Sequence, residues 1–295
     1  MTKKTQAEIA LLCTTVIWGG TFIAVKMSIL EISALTLIAV RFSVGSLFYG
    51  VFFARQIFPL SKTQIRNGAV LGLLLFGGFV AQNVGLQYTS ASTSAFITGM
   101  MVVFVPMLQI IVEKKAPMLG SVIGVFIAVA GLWLLTSPET SGFGIGELLT
   151  LLCAVIFAGY IIHLDIVSHH MNALQLTFLQ IFSCAVYGWI GVFFTGGFTL
   201  AWSANSIGAL AYLTFLATIL TTYVQTRYQK DTTPTRAVLI FTIEPIITAV
   251  AASWILGEYL GTAGIIGGAV ILVGVLLSEL SDGIRGLNIP VGGRK

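Results

Sequence analysis

The chain has 295 residues, of which 57% are hydrophobic and only 9% charged, with a formal net charge of +4 and a mean hydropathy of +0.98. Soluble domains carry roughly 25% charged residues, so this chain lacks the polar surface to clothe a globule of its size and its apolar excess must meet lipid. A basic balance points to nucleic acid only when it forms a stripe on a folded surface; here the positive residues fall between apolar runs, which excludes nucleic acid as a partner and leaves the bilayer as solvent.

A helix crossing a hydrocarbon core of about 30 Å needs about 20 apolar residues, and ten such runs follow one another along the chain. The first, Glu8–Ser28, comes after Lys3 and Lys4. It is longer than the apolar part of a signal peptide and has no convincing small-residue cleavage site, so it reads as a membrane span. The others are Ser33–Ala54, Asn67–Leu86, Thr93–Val112, Met118–Thr136, Gly146–Leu164, Leu174–Phe194, Ser206–Thr226, Thr235–Leu256 and Thr262–Leu280. The links between them are short and marked by turn residues such as Pro59, the Pro138 to Gly144 stretch, the Gly196–Gly197 pair and Pro234, and none has room for a soluble domain.

Placing the amino terminus in the cytoplasm puts 13 of the 15 lysines and arginines on that side, the exceptions being Lys26 and Arg41 within the first two spans. The positive-inside bias therefore predicts that both termini are cytoplasmic. The chain also repeats itself: Pro106, Glu113 and the glycines 120, 124 and 131 reappear as Pro245, Glu258 and the glycines 264, 268 and 274, at offsets of 139, 145 and 143 or 144. Five spans per repeat is an odd number, so the halves must insert in opposite senses. The expected fold class is an all-α integral membrane protein with ten transmembrane helices in two inverted five-helix repeats, residues 8–136 and 145–280. Glycines four apart allow close backbone approach, so the fifth and tenth spans are expected to pack in equivalent ways.

These features resemble the drug/metabolite transporter superfamily, and within it the EamA-type branch of ten-span proteins. The resemblance is carried by Trp18-Gly19-Gly20-Thr21-Phe22 with Lys26, by Arg41, by Ala95-Phe96-Ile97-Thr98-Gly99 through Pro106, by Gln180 and Gln225, by Pro234-Thr235-Arg236-Ala237, and by Glu244-Pro245 with Gly257-Glu258. It implies a transporter of the bacterial inner membrane, often an exporter of amino acids or other metabolites, without naming the cargo. The chain departs from the pattern where the second half has Phe157-Ala158-Gly159-Tyr160 instead of a tryptophan-glycine signature.

Among candidate site residues, Glu244 lies near the middle of the ninth span, where an ionised carboxylate costs at least a few kcal/mol and so faces water or a partner. Pro245 beside it lacks an amide hydrogen and predicts a kink. A carboxylate at a kink suits a cationic group or a proton; a structural ion pair with Arg41 or a capped amide is the competing reading. Arg41 needs an acceptor in the second span, which Glu244, free carbonyls or a cargo carboxylate would each supply. Lys26 is close enough to the surface to extend to the rim, and Pro106 is expected to bend the fourth span as Pro245 bends the ninth. Gln82, Asn83, Gln109, Gln180, Tyr187, Tyr223 and Gln225 must hydrogen-bond between helices or line a cavity. Trp18, Phe22, Phe96 and Tyr160 offer stacking faces for an amphipathic cargo, or fill the core.

Cys13, Cys153 and Cys184 lack metal or disulfide spacing, and His163, His169, His170 and Asp165 match no metal motif, so neither cofactor nor metal is expected. No phosphate-binding Gly-x-x-x-x-Gly-Lys-Ser/Thr loop, His-Glu-x-x-His or Gly-x-Ser-x-Gly motif occurs, which argues against ATP hydrolysis and against an enzyme. The leading expectation is a secondary transporter working by alternating access, its partners a small-molecule solute, the lipid bilayer and a coupling proton. The alternative is a lipid-linked carrier or a non-transporting assembly subunit. Oligomeric state leaves no mark in the sequence.

Overall fold

A computed structural model describes residues 2–113, 119–135, 144–258 and 261–284. Lys114, Lys115, Arg285, Arg294 and Lys295, on which part of the charge argument rests, and most of the Pro138 to Gly144 link lie outside the described residues. The long helices are α1 (Lys3–Ser28), α2 (Ala34–Phe52), α3 (Lys62–Gly85), α4 (Ala91–Val112), α5 (Leu119–Leu135), α6 (Ile145–Ser168), α7 (Ala173–Thr195), α8 (Ala204–Asp231), α9 (Pro234–Ile255) and α10 (Thr262–Ile284). Eight of them are long and apolar enough to cross a bilayer, and α5 and α10 carry the shorter apolar stretches Val122–Gly131 and Ile265–Gly274. Extended structure among the described residues is limited to an isolated bridge between Ile32 and Leu200.

Polar side chains at the helix starts fix the ends. Ser33, Ser61, Ser90 and Thr233 each accept a hydrogen bond from the amide three residues on, at 3.3, 3.2, 3.0 and 3.3 Å, satisfying a donor that the first turn leaves without a partner. Two boundaries extend beyond the apolar runs for the same kind of reason. α1 starts at Lys3 because Thr2 caps it and Lys4 pairs with Glu8 at 3.9 Å. α8 continues to Asp231, where Arg227 meets that carboxylate at 3.1 Å.

Three helices are interrupted and one is locally underwound. α1 breaks at Gly20, α4 at Met100 and α9 at Thr242–Ile243, while α8 carries a π-helical segment, Tyr212–Leu220. The break in α9 falls just before Pro245, where a missing amide and a clash with the preceding turn place it. The expectation for Pro106 differs: the α4 break lies six residues before it, beside Gly99, and Pro106 itself sits inside the continuous helix Met101–Glu113. The two prolines therefore stand at different distances from their breaks. α6 runs unbroken through Gly159, unlike α1 at Gly20.

Packing follows a five-helix shift. α5 packs on α10 and α2 on α7, while α3 on α6 corresponds to α8 on α1, and α4 on α6 to α9 on α1. The α5–α10 contact is reciprocal: a Cβ at Gly131 would lie 2.7 Å from Gly267 O and 2.7 Å from Ile271 N, and one at Gly274 would lie 2.8 Å from Gly124 O and 2.9 Å from Ala128 N. Only residues without a side chain allow this backbone approach, the use to which membrane helices put spaced glycines.

Candidate functional site

The interrupted helices converge on a central cavity of about 70 Å³, large enough for a few water molecules. α1 contributes Trp18 and Thr21, α2 Arg41, α3 Phe79 and Gln82, and α4 Thr98 and Met101. From the other half come Phe157, Tyr160 and Ile161 on α6, Gln225 on α8, and Phe241 and Glu244 on α9, with Leu75 of α3 completing the wall. The breaks in α1, α4 and α9 fall beside Thr21, Met101 and Glu244, so the irregular backbone lies where it borders a cavity, as membrane helices require.

Arg41 is 2% exposed and its charge is met by α8. Its Nε donates to Thr218 Oγ1 and its Nη2 donates to Ala217 O at 3.0 Å. The guanidinium also lies over the rings of Phe42 and Phe79, with centroids at 5.1 and 4.8 Å, a favourable arrangement for a cation in an apolar setting. The nearby Tyr49 hydroxyl donates to Ile219 O at 2.7 Å.

Glu244 begins the second segment of α9 and is 8% exposed. Among the described residues its carboxylate has neither a hydrogen-bond nor an ion-pair partner. Arg41 and Glu244 thus share one cavity without the ion pair that the sequence left open.

The wall around them is tied down by side-chain bonds. Trp18 Nε1 donates to Thr221 Oγ1 at 3.0 Å, and its ring meets Phe241 edge-on at 5.1 Å. The Tyr160 hydroxyl donates to Gln180 Oε1 at 2.9 Å, and Gln180 Nε2 donates to Thr226 Oγ1 at 2.8 Å. Gln225 Nε2 donates to Gln229 Oε1 at 3.0 Å, and Gln229 Nε2 to Ile161 O at 2.8 Å. Gln82 Nε2 approaches Thr98 Oγ1 at 3.5 Å.

Of the residues proposed from sequence, Glu244, Arg41, Trp18, Gln82, Tyr160 and Gln225 line the cavity. Gln180 stands behind Tyr160 as its acceptor. Phe22 packs in the core between α1, α4 and α8, Phe96 packs with Ala249 and Ile271, and Tyr223 lies against the main core; none of the three lines the cavity. Asn83 is buried with both amide atoms lacking partners. Sequence reasoning missed Phe79, Phe241, Thr21 and Thr98 as lining residues. The available signal was the placement of Thr21 and Thr98 inside the Trp18–Phe22 and Ala95–Gly99 runs that carry the family resemblance.

Each end of the bundle is latched. At the end holding the helix α1 start, Arg236 Nε meets Glu8 Oε1 at 3.5 Å, joining α9 to α1. At the opposite end, Lys26 Nζ donates to Leu86 O at 2.8 Å and Thr89 O at 2.7 Å, which puts it at the rim. There Glu258, between α9 and α10, accepts from the amides of Ala91 and Ser92 at 2.9 and 3.1 Å and from the Ser92 hydroxyl, capping α4. No group of three or more His, Cys, Asp or Glu side chains suited to a metal ion occurs among the described residues.

Residues 5–137 and 144–280 each match the EamA-like transporter family. A protein named "Uncharacterized transporter" in Archaeoglobus fulgidus is 30% identical over 279 residues, covering 94% of this chain and 87% of its own. "Uncharacterized transporter YyaM" of Bacillus subtilis is 24% identical over 292 residues, covering 94% of each. A solved structure titled only "Crystal structure of protein" superposes with a TM-score of 0.77 at 16% identity, covering 96% of this chain and 99% of its own, a likeness in fold.

Proposed function

The chain belongs to the EamA-like transporter family, and from that membership we propose that it is a secondary transporter whose central cavity takes a small zwitterionic, amphipathic solute such as an amino acid. The single observation carrying this reading is that Arg41 and Glu244 line one cavity without pairing with each other. Opposite charges in a poorly solvated space attract strongly, so holding them apart leaves two sites for complementary charge. A cargo carboxylate at Arg41 and a cargo ammonium at Glu244 satisfy both, and Phe79, Phe157 and Phe241 offer apolar walls for the remainder.

Without cargo, a proton is the partner that suits Glu244, and exchange of that proton for a cationic group couples the two fluxes. With the proton entering the cell, the solute leaves, which makes the protein an exporter. The moving units are two five-helix repeats, residues 8–136 and 145–280, rocking about the cavity by alternating access. The positive-inside bias supports a cytoplasmic position for both termini, and family membership supports a place in the cell inner membrane.

Purified protein in proteoliposomes, challenged with a panel of amino acids, amines and drug-like compounds, tests the reading. At least one amino acid should move without ATP, with a pH gradient driving it, and Glu244→Gln should reduce that movement to background while remaining folded in the membrane. Full transport by Glu244→Gln would remove this carboxylate from the mechanism. Conversion of a solute to product without movement would replace the transporter reading with an enzymatic one.

A further inference from the structure

The π-helical segment of α8 does something specific at the cavity wall. The Thr221 amide donates to Leu216 O, five residues back. In an α-helix that amide would take Ala217 O. Ala217 O instead receives Arg41 Nη2 at 3.0 Å. One residue on, the Thr218 hydroxyl donates to Leu213 O at 2.8 Å, which turns its oxygen lone pairs toward Arg41 Nε. The underwound register thus creates two neighbouring acceptors for one guanidinium. Wider turns of this kind are rare and occur mostly at functional positions.

We propose that this segment is the positioning element for Arg41, and that Thr218 thereby determines the cavity's preference for cargo bearing a carboxylate. The inference rests on the reading that cargo occupies the central cavity. With Nε and Nη2 held by α8 and the plane packed against Phe42 and Phe79, the guanidinium has one orientation, and its Nη1 has no protein partner among the described residues. A carboxylate in the cavity meets this preset donor without first ordering a long side chain, so less conformational entropy is lost on binding. Loss of the Thr218 acceptor frees Arg41 to turn and weakens binding of acids, while leaving cargo that lacks the carboxylate unaffected.

The test compares binding of L-phenylalanine, L-phenylalanine amide and phenethylamine to the full-length protein in detergent and their transport in proteoliposomes. Wild type should prefer the acid to the amide and the amine. Thr218→Val, which keeps the shape but removes the acceptor, should weaken the acid on the order of tenfold, the range for a lost hydrogen bond to a charged group, and leave the amide unchanged. Thr218→Ser should restore the wild-type ratio. Should the valine variant not fold, Thr218→Ala against Thr218→Ser gives the same comparison.

An unchanged acid-to-amide ratio in a folded Thr218→Val or Thr218→Ala overturns the positioning role. Equal wild-type affinity for acid and amide overturns Arg41 as the carboxylate contact while the cavity reading stands. Failure of all three probes to bind or move in wild type removes the cavity reading and this inference with it.

Discussion

Trp18 shows how a single side chain near the α1 break serves two elements: its indole N–H reaches Thr221 on α8 at 3.0 Å while its ring makes an edge contact with Phe241 on α9 at 5.1 Å. Trp18→Phe keeps an aromatic body and loses the donor. The expected cost is about 1 kcal/mol of stability, the typical net worth of a neutral hydrogen bond, read as a lower thermal midpoint in detergent; an unchanged midpoint would show that the bond contributes nothing. Arg41→Lys is harsher than its charge suggests, because an ammonium cannot reproduce the forked donation to Thr218 and Ala217 or the stacking on Phe79. We expect a folded protein whose transport falls to near background. Wild-type flux in that variant would mean that positive charge alone suffices. At this scale, polarity in an apolar span was a legible signal for Glu244, Arg41, Gln82 and Gln225, which have no lipid-facing option. It gave no help with facing direction. Phe22 and Phe96 carry no hydropathic mark that separates a core ring from a cavity ring, and both pack in the core. Gln180 satisfies its amide between Tyr160 and Thr226, one layer behind the wall.

The α5–α10 pair and the cap on α4 carry the sharpest expectations for whole helices. Adding a methyl at Gly131 or Gly274 places a carbon within 2.7 to 2.9 Å of the facing backbone, where no side chain can give way. Gly131→Ala and Gly274→Ala should each cost roughly 1–3 kcal/mol, as overpacked contacts do. The reciprocal geometry predicts similar losses for the two variants in a chemical or thermal unfolding series, and a loss confined to one would break the equivalence. Glu258→Ala removes the acceptor of the Ala91 and Ser92 amides and should cost about 1 kcal/mol, the usual value of a helix cap, read as faster hydrogen exchange at the start of α4. The helix positions and this glycine contact were legible because hydropathy and small-residue spacing are local properties. The interruptions were legible only in part. Pro245 announces the α9 break, but α4 breaks at Met100, well before Pro106, where local sequence offers only Gly99. The π segment Tyr212–Leu220 has neither glycine nor proline. Its register is matched by acceptors given to Arg41 and Tyr49 from α2, a long-range cause invisible in a sequence window.

For the molecule as a whole, the central question is how a cavity of about 70 Å³ admits a solute larger than a few waters. Both ends of the bundle are held by bonds between different helices. Arg236 on α9 meets Glu8 on α1 at one end, and Glu258 near α10 holds the start of α4 at the other. The proposed alternating access requires that the two latches release in turn, since opening both together would leave a channel through the bilayer. A thiol-cleavable bis-methanethiosulfonate cross-link spanning the Glu8–Arg236 contact, between Glu8→Cys and Arg236→Cys in a background without native cysteines, should therefore stop transport completely, even though only one end is tied. Reductant should restore the flux. With the bridge closed, a cavity cysteine such as Thr98→Cys should still react with reagents added from the opposite face and be shielded from the bridged one. Undiminished flux through the cross-linked protein would mean that solute does not pass between α1 and α9, and the rocking of two halves about Arg41 and Glu244 would have to give way to a path elsewhere in the bundle.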